Sequence, residues 1–595
     1  MHRLLIILSA FFFSIGTYST FAQGISRDYD VSLLINQVGY IPQAGKYCIT
    51  KGDVEKDFEV IDLETLKVVH KGKLAPRKGD FGSYLKGDFS DLVAEGNFYV
   101  KSGTKRSYSF EISKNIYEEP IDLIVSYFSK QRCGASTTGY LAPCHVDDGI
   151  RQDNGKHQDV SGGWHDASDL RKWVGATIYG MVGLAKAYEL QEGRDRSHFV
   201  DELKWGNRYF LAMQEPQGYV MNYVGGDVEK HSDSNRWTDN EVGEDGTGEA
   251  TFVKPTAGTS MADMLIFENN DDRVIRTDPV GLNAQYNFVS SEALMTRITR
   301  SSDPEYSKKC ITAAEKCFEW CKTYDRVKSA GDIGASIDAA IELFKTTKNT
   351  AYKEYAIEQA TILEKLQVSG KTGDVSGFYY TSLRDKEPYK NISRGCWEFH
   401  AVCHLYQTFP DHENAESWKT MISKYAYNYL VLMTGKNNFG LVPFGLYDTK
   451  KLGGDRKTGK YMYRYFMEPE LDWWVGNNAL ITSTGVGLLK AAEILNDDRL
   501  AHLAQRQLDW VQGSNPFNSS TMIGVGFNGH KHFDGSTFLP GTPVIPGAVL
   551  NGIGGDHDDM PDLKDGSWQT CEYWTPMVAY TLWLMAEINY YGNQY

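Results

Sequence analysis

The chain has 595 residues, enough for more than one domain, and a net charge of -15 from 62 lysines and arginines against 77 aspartates and glutamates. This acidic balance argues against a nucleic acid as the partner, because a protein that binds the phosphate backbone needs a basic surface. Aromatic residues make up 13 % of the chain, with 13 tryptophans and 36 tyrosines. Flat rings stack on sugar faces, so a polysaccharide or oligosaccharide is a reasonable first substrate class, although core packing also uses many rings.

Residues 1–22 have the pattern of a cleavable secretory signal. Arg3 provides a short basic start, an apolar run covers 4–15, and Thr20 and Ala22 occupy the positions that precede a signal cleavage site. The apolar run is too short to span a bilayer, and no cysteine follows it to accept a lipid. These features predict a protein released into the periplasm or the medium, and no later segment has the composition of a transmembrane helix.

The region 25–113 predicts a small all-β domain of the sandwich type. Apolar and polar residues alternate there in short runs, as in FEVIDLETLKVV and GNFYVKSGTKRSYSFEI, which glycines and charged residues interrupt. Its strands contain no obvious row of exposed tryptophans, and the connection over 113–118 is short. We therefore expect a structural partner packed on the rest of the chain, not an independent sugar-binding module.

The region 117–595 predicts an all-α domain. Apolar residues recur at three- and four-residue intervals in long segments such as ATIYGMVGLAKAYELQ and GNNALITSTGVGLLKAAEIL. About a dozen such segments, joined by loops rich in glycine, aspartate and aromatic residues, indicate paired helices wound into a toroid. Cys310 and Cys317, like Cys396 and Cys403, are seven residues apart within helical patterns, so each pair is expected to lie buried on one helix face.

The segment DVSGGWHDASDLRKW, from Asp159 to Trp173, concentrates residues that suggest catalysis. Asp166 and Asp169 are three residues apart, and His165 is adjacent to the first of them. On its own, a D-x-x-D pattern is more typical of a turn in which an aspartate caps the following helix. The choice between the structural and the catalytic interpretation depends on the rest of the chain.

Four separated motifs follow one another along the chain: INQVGY at 35–40, SGGWHDASD at 161–169, NRWTDN at 235–240 and GSNPFNSSTMIGVG at 513–526. In this order they resemble segments of glycoside hydrolase family 9, an inverting cellulase family, in the subgroup with an N-terminal immunoglobulin-like domain. The second motif resembles the family's GGW-[HY]-DAGD catalytic loop. The resemblance implies a multidomain chain, with an all-β immunoglobulin-like sandwich followed by an all-α (α/α)6 barrel.

The resemblance also implies three catalytic residues. Asp169 corresponds to the general base, Asp166 to the carboxylate that helps hold the attacking water, and Glu572 in WQTCEYWTP to the general acid. Inverting hydrolysis needs an acid and a base on opposite faces of the sugar, about 6.5–9.5 Å apart so that the water fits between them. Glu572 has apolar aromatic neighbours of the kind that keep a carboxyl group protonated for acid catalysis.

Three departures from the family pattern bear on the substrate. Ser168 stands where the DAGD motif has glycine, the segment after Glu572 is shortened, and FNGHKHF stands where the family has an HHR triplet. We predict substrate contacts from aromatic and imidazole side chains near the family segments: Trp237, His530, His532, Tyr573 and Trp574. His530 and His532 are equally well explained as solvated loop histidines.

The subgroup's zinc site, formed by two cysteines and two histidines beside the catalytic loop, corresponds here to Cys133, Cys144, His145 and His165. Two thiolates and two imidazoles suit a closed tetrahedral site, so the zinc would be structural and His165 would hold the catalytic loop in place. The alternative is a disulfide between Cys133 and Cys144, with His165 merely packed. Calcium sites occur in relatives, and the acidic loop over 225–241 has suitable oxygen ligands, but their spacing decides nothing. No organic cofactor is expected.

Together these features predict an exported inverting glycosidase that cleaves a β-1,4-linked glucan such as cellulose, xyloglucan, mixed-linkage glucan or derived oligosaccharides. One alternative is an exo-acting β-glucosidase or glucosaminidase on the same fold, for which a blocked end of the cleft would be the sign. Another is a carbohydrate-binding protein that has lost catalysis. The sequence does not reveal the oligomeric state, the preferred glucan, or whether cleavage is internal or terminal.

Overall fold

The structure is a computed structural model, and it describes these residues: 30–52, 56–140, 144–145, 148–168, 170–191, 193–225, 273–324, 326–371, 373–450, 453–471, 473–533 and 542–594. The predicted secretory signal and nearly all of the acidic loop over 225–241 lie outside these ranges. Among the described helices, none combines the length and the apolar composition needed to cross a membrane.

The N-terminal unit is a β-sandwich, in which the described residues form ten strands: β1 (Asp30–Val31), β2 (Gly39–Tyr40), β3 (Tyr47–Thr50), β4 (Asp57–Asp62), β5 (Val68–Lys73), β6 (Ala75–Gly79), β7 (Gly82–Asp88), β8 (Gly96–Ser102), β9 (Lys105–Arg106) and β10 (Phe110–Ile112). One sheet has the order β1-β9-β8-β10-β2, with β4 paired to β8 and β5 to β4, and the other has the order β3-β7-β6. Alternate residues of β8 are buried, as expected for a strand with one face in the core. The predicted all-β domain is confirmed.

The second unit contains twelve described helices of at least eleven residues: α1 (Glu118–Lys130), α2 (Val174–Leu190), α3 (Ser197–Ala212), α4 (Leu282–Thr299), α5 (Pro304–Thr323), α6 (Ala330–Thr347), α7 (Thr350–Leu366), α8 (Trp397–Thr408), α9 (Ala415–Tyr425), α10 (Asn478–Leu495), α11 (Asp498–Val511) and α12 (Thr575–Gln594). Each even-numbered helix packs against the next even-numbered helix along the chain, and α12 packs against α2, so these six helices close an inner ring. The odd-numbered helices pack outside it. This arrangement is the expected (α/α)6 barrel.

The inner helices are buried on nearly all sides. In α4 and α12, for example, almost every residue is buried, including polar residues of α4 such as Asn283 and Gln285. The predicted burial of the four cysteines is confirmed, and Cys310 and Cys317 both lie on α5. Cys396, however, is the residue that precedes α8, so only Cys403 of the second pair lies within that helix.

Short strands in the loops of the barrel add small sheets: β11 (Ile150–Arg151), β12 (Lys172–Trp173), β13 (Met221–Gly225), β14 (Val274–Pro279), β15 (Gly445–Tyr447), β16 (Arg456–Thr458), β17 (Tyr461–Arg464), β18 (Gly554–Gly555) and β19 (Pro561–Asp562). The first four form a sheet in the order β11-β14-β13-β12, and β15 to β17 form another in the order β15-β17-β16. Because β12 runs directly into α2, the first of these sheets supports the loop that precedes this inner helix.

The sandwich packs on the barrel through the turn between β6 and β7. Phe81 in this turn is fully buried, and its ring centroid lies 4.8 Å from that of Tyr465 and 6.1 Å from that of Trp510. A second contact forms where the Asn36 side chain donates a hydrogen bond to the Asp509 carboxylate, at 3.0 Å. Both contacts are buried, as expected for a structural partner.

Candidate active site

The loop that contains Asp166 lies at the end of the barrel where inner helices α2 and α12 begin. Thr575, the first residue of α12, donates two hydrogen bonds to the backbone carbonyl of Asp166, one from its amide and one from its hydroxyl, both at 2.8 Å. Asp166 and Ser168 are 4 % and 1 % exposed. The backbone of the loop is therefore fixed directly to the start of an inner helix.

Two of the predicted catalytic carboxylates come together at this point. The indole nitrogen of Trp574 donates a hydrogen bond to Oδ2 of Asp166 at 2.9 Å. The hydroxyl of Ser168 donates a short hydrogen bond to Oε1 of Glu572. Asp166 and Glu572, far apart in sequence, thus share one site, whereas Asp169, the predicted general base, lies outside the described residues.

A buried group of charged residues, Asp148, Lys172 and Arg273, stabilises the loop. Asp148 Oδ2 lies 2.7 Å from Lys172 Nζ and 2.7 Å from Arg273 Nη2. Lys172 also donates to the backbone carbonyls of Val160 and Gly162, at 2.8 and 3.2 Å. Burial alone would raise the pKa of Asp148, but the charges of Arg273 and Lys172 outweigh it and lower the pKa to about 2. The Asp148 carboxylate therefore stays charged at neutral pH.

The glycines and the tryptophan of the SGGW motif shape the loop. Gly162 and Gly163 have φ values of +91° and +76°, in the region that favours glycine, and a Cβ at Gly163 would lie 2.7 Å from that of Tyr209. Trp164 is fully buried and donates its indole hydrogen to Glu202 at 2.7 Å. These three motif residues therefore have structural roles in presenting Asp166.

The four predicted metal ligands converge beside the loop. Cys133 Sγ lies 3.3 Å from His145 Nδ1, Cys144 Sγ lies 3.7 Å from His165 Nε2, and the two histidine nitrogens lie 3.4 Å apart. Ligand atoms around a tetrahedral zinc ion, at roughly 2.3 Å for sulfur and 2.0–2.1 Å for nitrogen, stand about 3.3–3.8 Å from one another. These three separations match that spacing, and the four ligand atoms, all from buried residues, lie within 4.8 Å of one another, so the residues fit a zinc ion.

The charges of this cluster also suit a metal. Burial alone would raise the pKa of the Cys133 thiol, but a hydrogen bond from Cys144 and the charge of Lys172 outweigh it and hold the pKa well below its usual value. Burial lowers the pKa of His165 and keeps its ring neutral. Thiolate and neutral imidazole are the forms that bind metals. None of the nine cysteines, which all lie in the described part of the chain, is joined in a disulfide.

Aromatic side chains near Glu572 divide into two groups. Trp574 is half-buried, and its ring centroid lies 6.2 Å from that of Trp473, which is 44 % exposed. Tyr573, in contrast, is fully buried, with its ring centroid 5.8 Å from that of Tyr127. The ring of Tyr573 lies in the core, so its burial does not support the predicted substrate contact, which stays a prediction. The sequence analysis did not name Trp473 as a candidate substrate contact, although the tryptophan pair in LDWWVG just before α10 could have indicated one.

The predicted histidines lie on a segment that runs beside the general-acid candidate. The backbone amide of Phe533 donates a hydrogen bond to the carbonyl of Cys571 at 2.9 Å. This bond brings the segment that contains His530 and His532 close to Glu572, which follows Cys571. His530 is 3.5 Å from the Asp565 carboxylate, and a ring nitrogen of His532 is 2.7 Å from the carbonyl of Thr542. These contacts leave both interpretations of the histidines open. Trp237, the fifth predicted substrate contact, lies outside the described residues.

A second cluster of potential metal ligands lies near the opposite ends of the inner helices. Asp338, Glu342 and His404 approach one another there. The ammonium group of Lys186 contacts both carboxylates, and Arg297 Nη2 lies 2.6 Å from Glu342. Because cations of the protein already neutralise these carboxylates, the cluster is better described as an ion-pair network than as a metal site.

Comparison with known proteins places the chain in a family. The model of glycosyl hydrolase family 9 matches residues 117–585, which is most of the chain. The chain belongs to glycosyl hydrolase family 9. The model of the cellulase N-terminal immunoglobulin-like domain matches residues 29–107, the region of the β-sandwich. The protein is therefore a glycoside hydrolase, and both the predicted family and the predicted fold class are confirmed.

Relatives of this family 9 enzyme align over different shares of the chain. Endoglucanase D of Acetivibrio thermocellus is 25 % identical over 615 aligned residues, which cover 95 % of this chain and 85 % of the relative. A cellodextrinase of Butyrivibrio fibrisolvens is 24 % identical, over 59 % of this chain and 65 % of the relative.

Solved structures show the same fold. The family 9 protein of Bacteroides ovatus superposes with a TM-score of 0.65 and 18 % identity, covering 94 % of this chain and 99 % of that protein. A zinc-binding triple mutant of the family 9 endoglucanase J30 superposes with a TM-score of 0.65 and 20 % identity, covering 92 % and 99 %. At these identities the likeness concerns the fold alone.

Proposed function

We propose that this family 9 enzyme is an inverting endoglucanase, which hydrolyses internal β-1,4 bonds of a glucan. The observation that carries the proposal is the meeting of Asp166 and Glu572 at one site, where neighbouring side chains orient both carboxyl groups. The name of endoglucanase D, a relative that aligns over nearly the whole chain, supports the choice of substrate and of internal cleavage.

In this mechanism Glu572 transfers its proton to the glycosidic oxygen as the bond to the anomeric carbon breaks. Asp169 removes a proton from a water molecule that attacks the same carbon from the opposite face. Asp166 accepts a hydrogen bond from this water, while the indole of Trp574 fixes the orientation of the aspartate. The new hemiacetal therefore has the α configuration, and the leaving sugar departs as a neutral alcohol.

Proton NMR of the first sugar released from a soluble β-glucan tests the mechanism, and the α-anomer is the expected product. Release of the β-anomer would exclude inversion. Glu572→Gln and Asp169→Ala should each lower kcat about 10²–10⁴-fold and leave oligosaccharide binding nearly intact, because acid and base groups act mainly on the transition state. Glu354→Gln, an exposed change on outer helix α7, serves as the control.

Product length on a defined cellooligosaccharide separates the proposal from its alternatives. An endoglucanase should release products of mixed length from the start, whereas an exo-acting glucosidase or glucosaminidase should release one terminal unit at a time. A carbohydrate-binding protein without catalysis should bind the oligosaccharide and release nothing. The same assay with cellulose, xyloglucan and mixed-linkage glucan identifies the preferred backbone.

We also propose that Cys133, Cys144, His145 and His165 hold one structural zinc ion, which would cross-link the segments around the catalytic loop when bound. Elemental analysis should find about one zinc per chain, and chelation should lower Tm, as should acidification, because protons compete with the metal for the ligands. His165→Ala should reproduce this loss of zinc and of Tm, while the exposed His198→Ala should not. A Cys133–Cys144 disulfide with no bound zinc would contradict the site.

Export is a further part of the proposal, and it rests on residues 1–22 alone. Secreted or periplasmic protein should begin at Gln23 when its N-terminus is sequenced, whereas protein that retains Met1 would argue against cleavage.

A further inference from the structure

The hydroxyl of Ser168 contacts the candidate general acid directly. It donates a short hydrogen bond to Oε1 of Glu572, and Ser168 itself is only 1 % exposed. This is also the position at which the chain departs from the DAGD motif, where glycine has no side chain to make such a bond. The contact therefore belongs to this chain's own sequence and not to the motif.

The backbone on the N-terminal side of Ser168 is firmly held, so its hydroxyl is presented from a fixed position. The side chain of Gln131 donates to the carbonyl of Ala167 at 2.7 Å. One residue earlier, Asp166 donates its amide hydrogen to the carbonyl of Arg171 at 3.0 Å. A hydroxyl with an anchored backbone and almost no exposure has few alternative partners and loses little further entropy in orienting Glu572.

We propose that Ser168 is a positioning residue for the general acid Glu572, an inference that rests on the proposed function. Rotation about the last bond of a glutamate side chain is broad, so an unrestrained carboxyl group presents its acidic proton in many directions. The hydrogen bond to Oε1 fixes this rotation, and the transferable proton is carried on Oε2.

The same bond strengthens during the reaction. When the proton on Oε2 passes to the glycosidic oxygen, Glu572 becomes a carboxylate, and a hydrogen bond to an ionised acceptor is stronger than one to a neutral acid. Ser168 keeps its own proton throughout. The hydroxyl therefore stabilises the transition state more than the bound substrate, so that its removal should lower kcat and leave KM nearly unchanged.

Ser168→Ala tests the proposal by comparing two substrates. On a cellooligosaccharide, whose leaving group is a sugar alcohol that needs protonation, kcat should fall about tenfold with KM within about twofold. On an aryl cellobioside with a dinitrophenolate leaving group, which departs without an acid, kcat should stay within about twofold of the wild type. Ser161→Ala is the matched control, because the Ser161 hydroxyl also donates to a carboxylate, that of Asp159, in the same loop.

Equal losses on both substrates would show that Ser168 only supports the loop, and no loss on either would show that the bond is unimportant; both outcomes overturn the proposal. If Ser168→Ala does not fold, Ser168→Gly, with the residue of the family motif, carries the same comparison. Glu572→Gln on the same two substrates tests the role of Glu572 as general acid separately from the role of Ser168. If it retains activity on the oligosaccharide, the proposed role of Glu572 fails, whatever the result at Ser168.

Discussion

At the scale of single residues, the orientation of Asp166 depends on a tryptophan. Asp166 is nearly buried, and the Trp574 indole donates to its Oδ2 at 2.9 Å. Trp574→Phe removes this donor but keeps an aromatic ring, and a hydrogen bond to a charged group is worth about 1.5–3 kcal/mol. We expect kcat on a soluble glucan to fall by roughly one to two orders of magnitude, with a smaller change in KM.

Trp320→Phe on outer helix α5 is the control for this experiment, since Trp320 lies outside the candidate site and stacks on Tyr324. Steady-state kinetics on both variants gives the comparison. An unchanged kcat in Trp574→Phe would mean that Asp166 is held by its backbone alone.

The sequence predicted the members of the site better than the directions of their side chains. Glu572 has an extended backbone conformation, and successive residues of an extended segment point to opposite sides. The side chain of Tyr573 therefore points into the core, whereas those of Glu572 and Trp574 do not. The order of residues in the sequence does not reveal this difference. Trp473 reaches Trp574 only through the folding of distant segments, so a local motif could not reveal the contact.

At the scale of elements, a buried glutamate connects an inner helix to two outer ones. Glu292 of α4 accepts a hydrogen bond from Asn207 of α3 at 3.2 Å, and Cys310 of α5 lies beside it. Burial raises the pKa of Glu292 to about 8, against which the hydrogen bonds from Cys310 and Asn207 act only weakly. The folded protein therefore keeps this carboxyl group protonated at pH values where the unfolded chain has lost the proton.

The sign of the pH dependence follows from this difference. A raised pKa in the folded state contributes stability below the unfolded pKa near 4.5, and this contribution is lost as pH rises towards 8. Glu292→Gln removes the titration, so its free energy of unfolding relative to the wild type should increase by up to about 1.4 kcal/mol per pH unit in this window. Urea unfolding at pH 5, 6.5 and 8 measures the difference. If the variant and the wild type differed in free energy of unfolding by the same amount at all three pH values, the raised pKa of Glu292 would be contradicted. Glu354→Gln provides the control.

The ion-pair network near the far ends of the inner helices predicts a large loss of stability. Lys186 of α2 contacts Asp338 and Glu342 of α6, and all three side chains are nearly buried. Lys186→Met leaves buried carboxylates with less compensating charge, which typically costs about 3–5 kcal/mol. Lys322→Met should cost only about 0–1 kcal/mol, because its pair with Glu319 is exposed. Similar losses in urea unfolding for both variants would contradict a buried network.

The helices were predictable because each has a long apolar period, whereas the small loop sheets were not. β11 and β12 have two residues each and pair with strands that lie more than forty residues away in sequence, so neither alternation nor turn residues identify them. The order of helices around the ring also depends on packing between faces, which periodicity does not specify. The resemblance to a family supplied this part of the prediction.

At the scale of the whole molecule, the sandwich and the barrel share apolar core. The ring of Phe81 lies among barrel side chains, Tyr465 and Trp510 among them, and the turn beside it is tied down because the hydroxyls of Tyr463 and Tyr465 donate to the Asp80 carboxylate at 2.7 and 3.0 Å. A contact of this kind couples the unfolding of two domains, because separating them would expose the ring to water.

Phe81→Ala should therefore destabilise the barrel as well as the sandwich. Removing a buried phenylalanine side chain costs about 3–5 kcal/mol, through lost transfer energy and the cavity that remains. We expect one calorimetric transition at a lower Tm, with kcat and KM at low temperature near their wild-type values, since Phe81 is not part of the candidate active site. Val93→Ala, at a 58 % exposed position of the same domain, should leave Tm nearly unchanged. A separate early transition for the sandwich, with an unaltered Tm for the barrel, would mean that the two domains unfold independently and that the contact does not stabilise the catalytic domain.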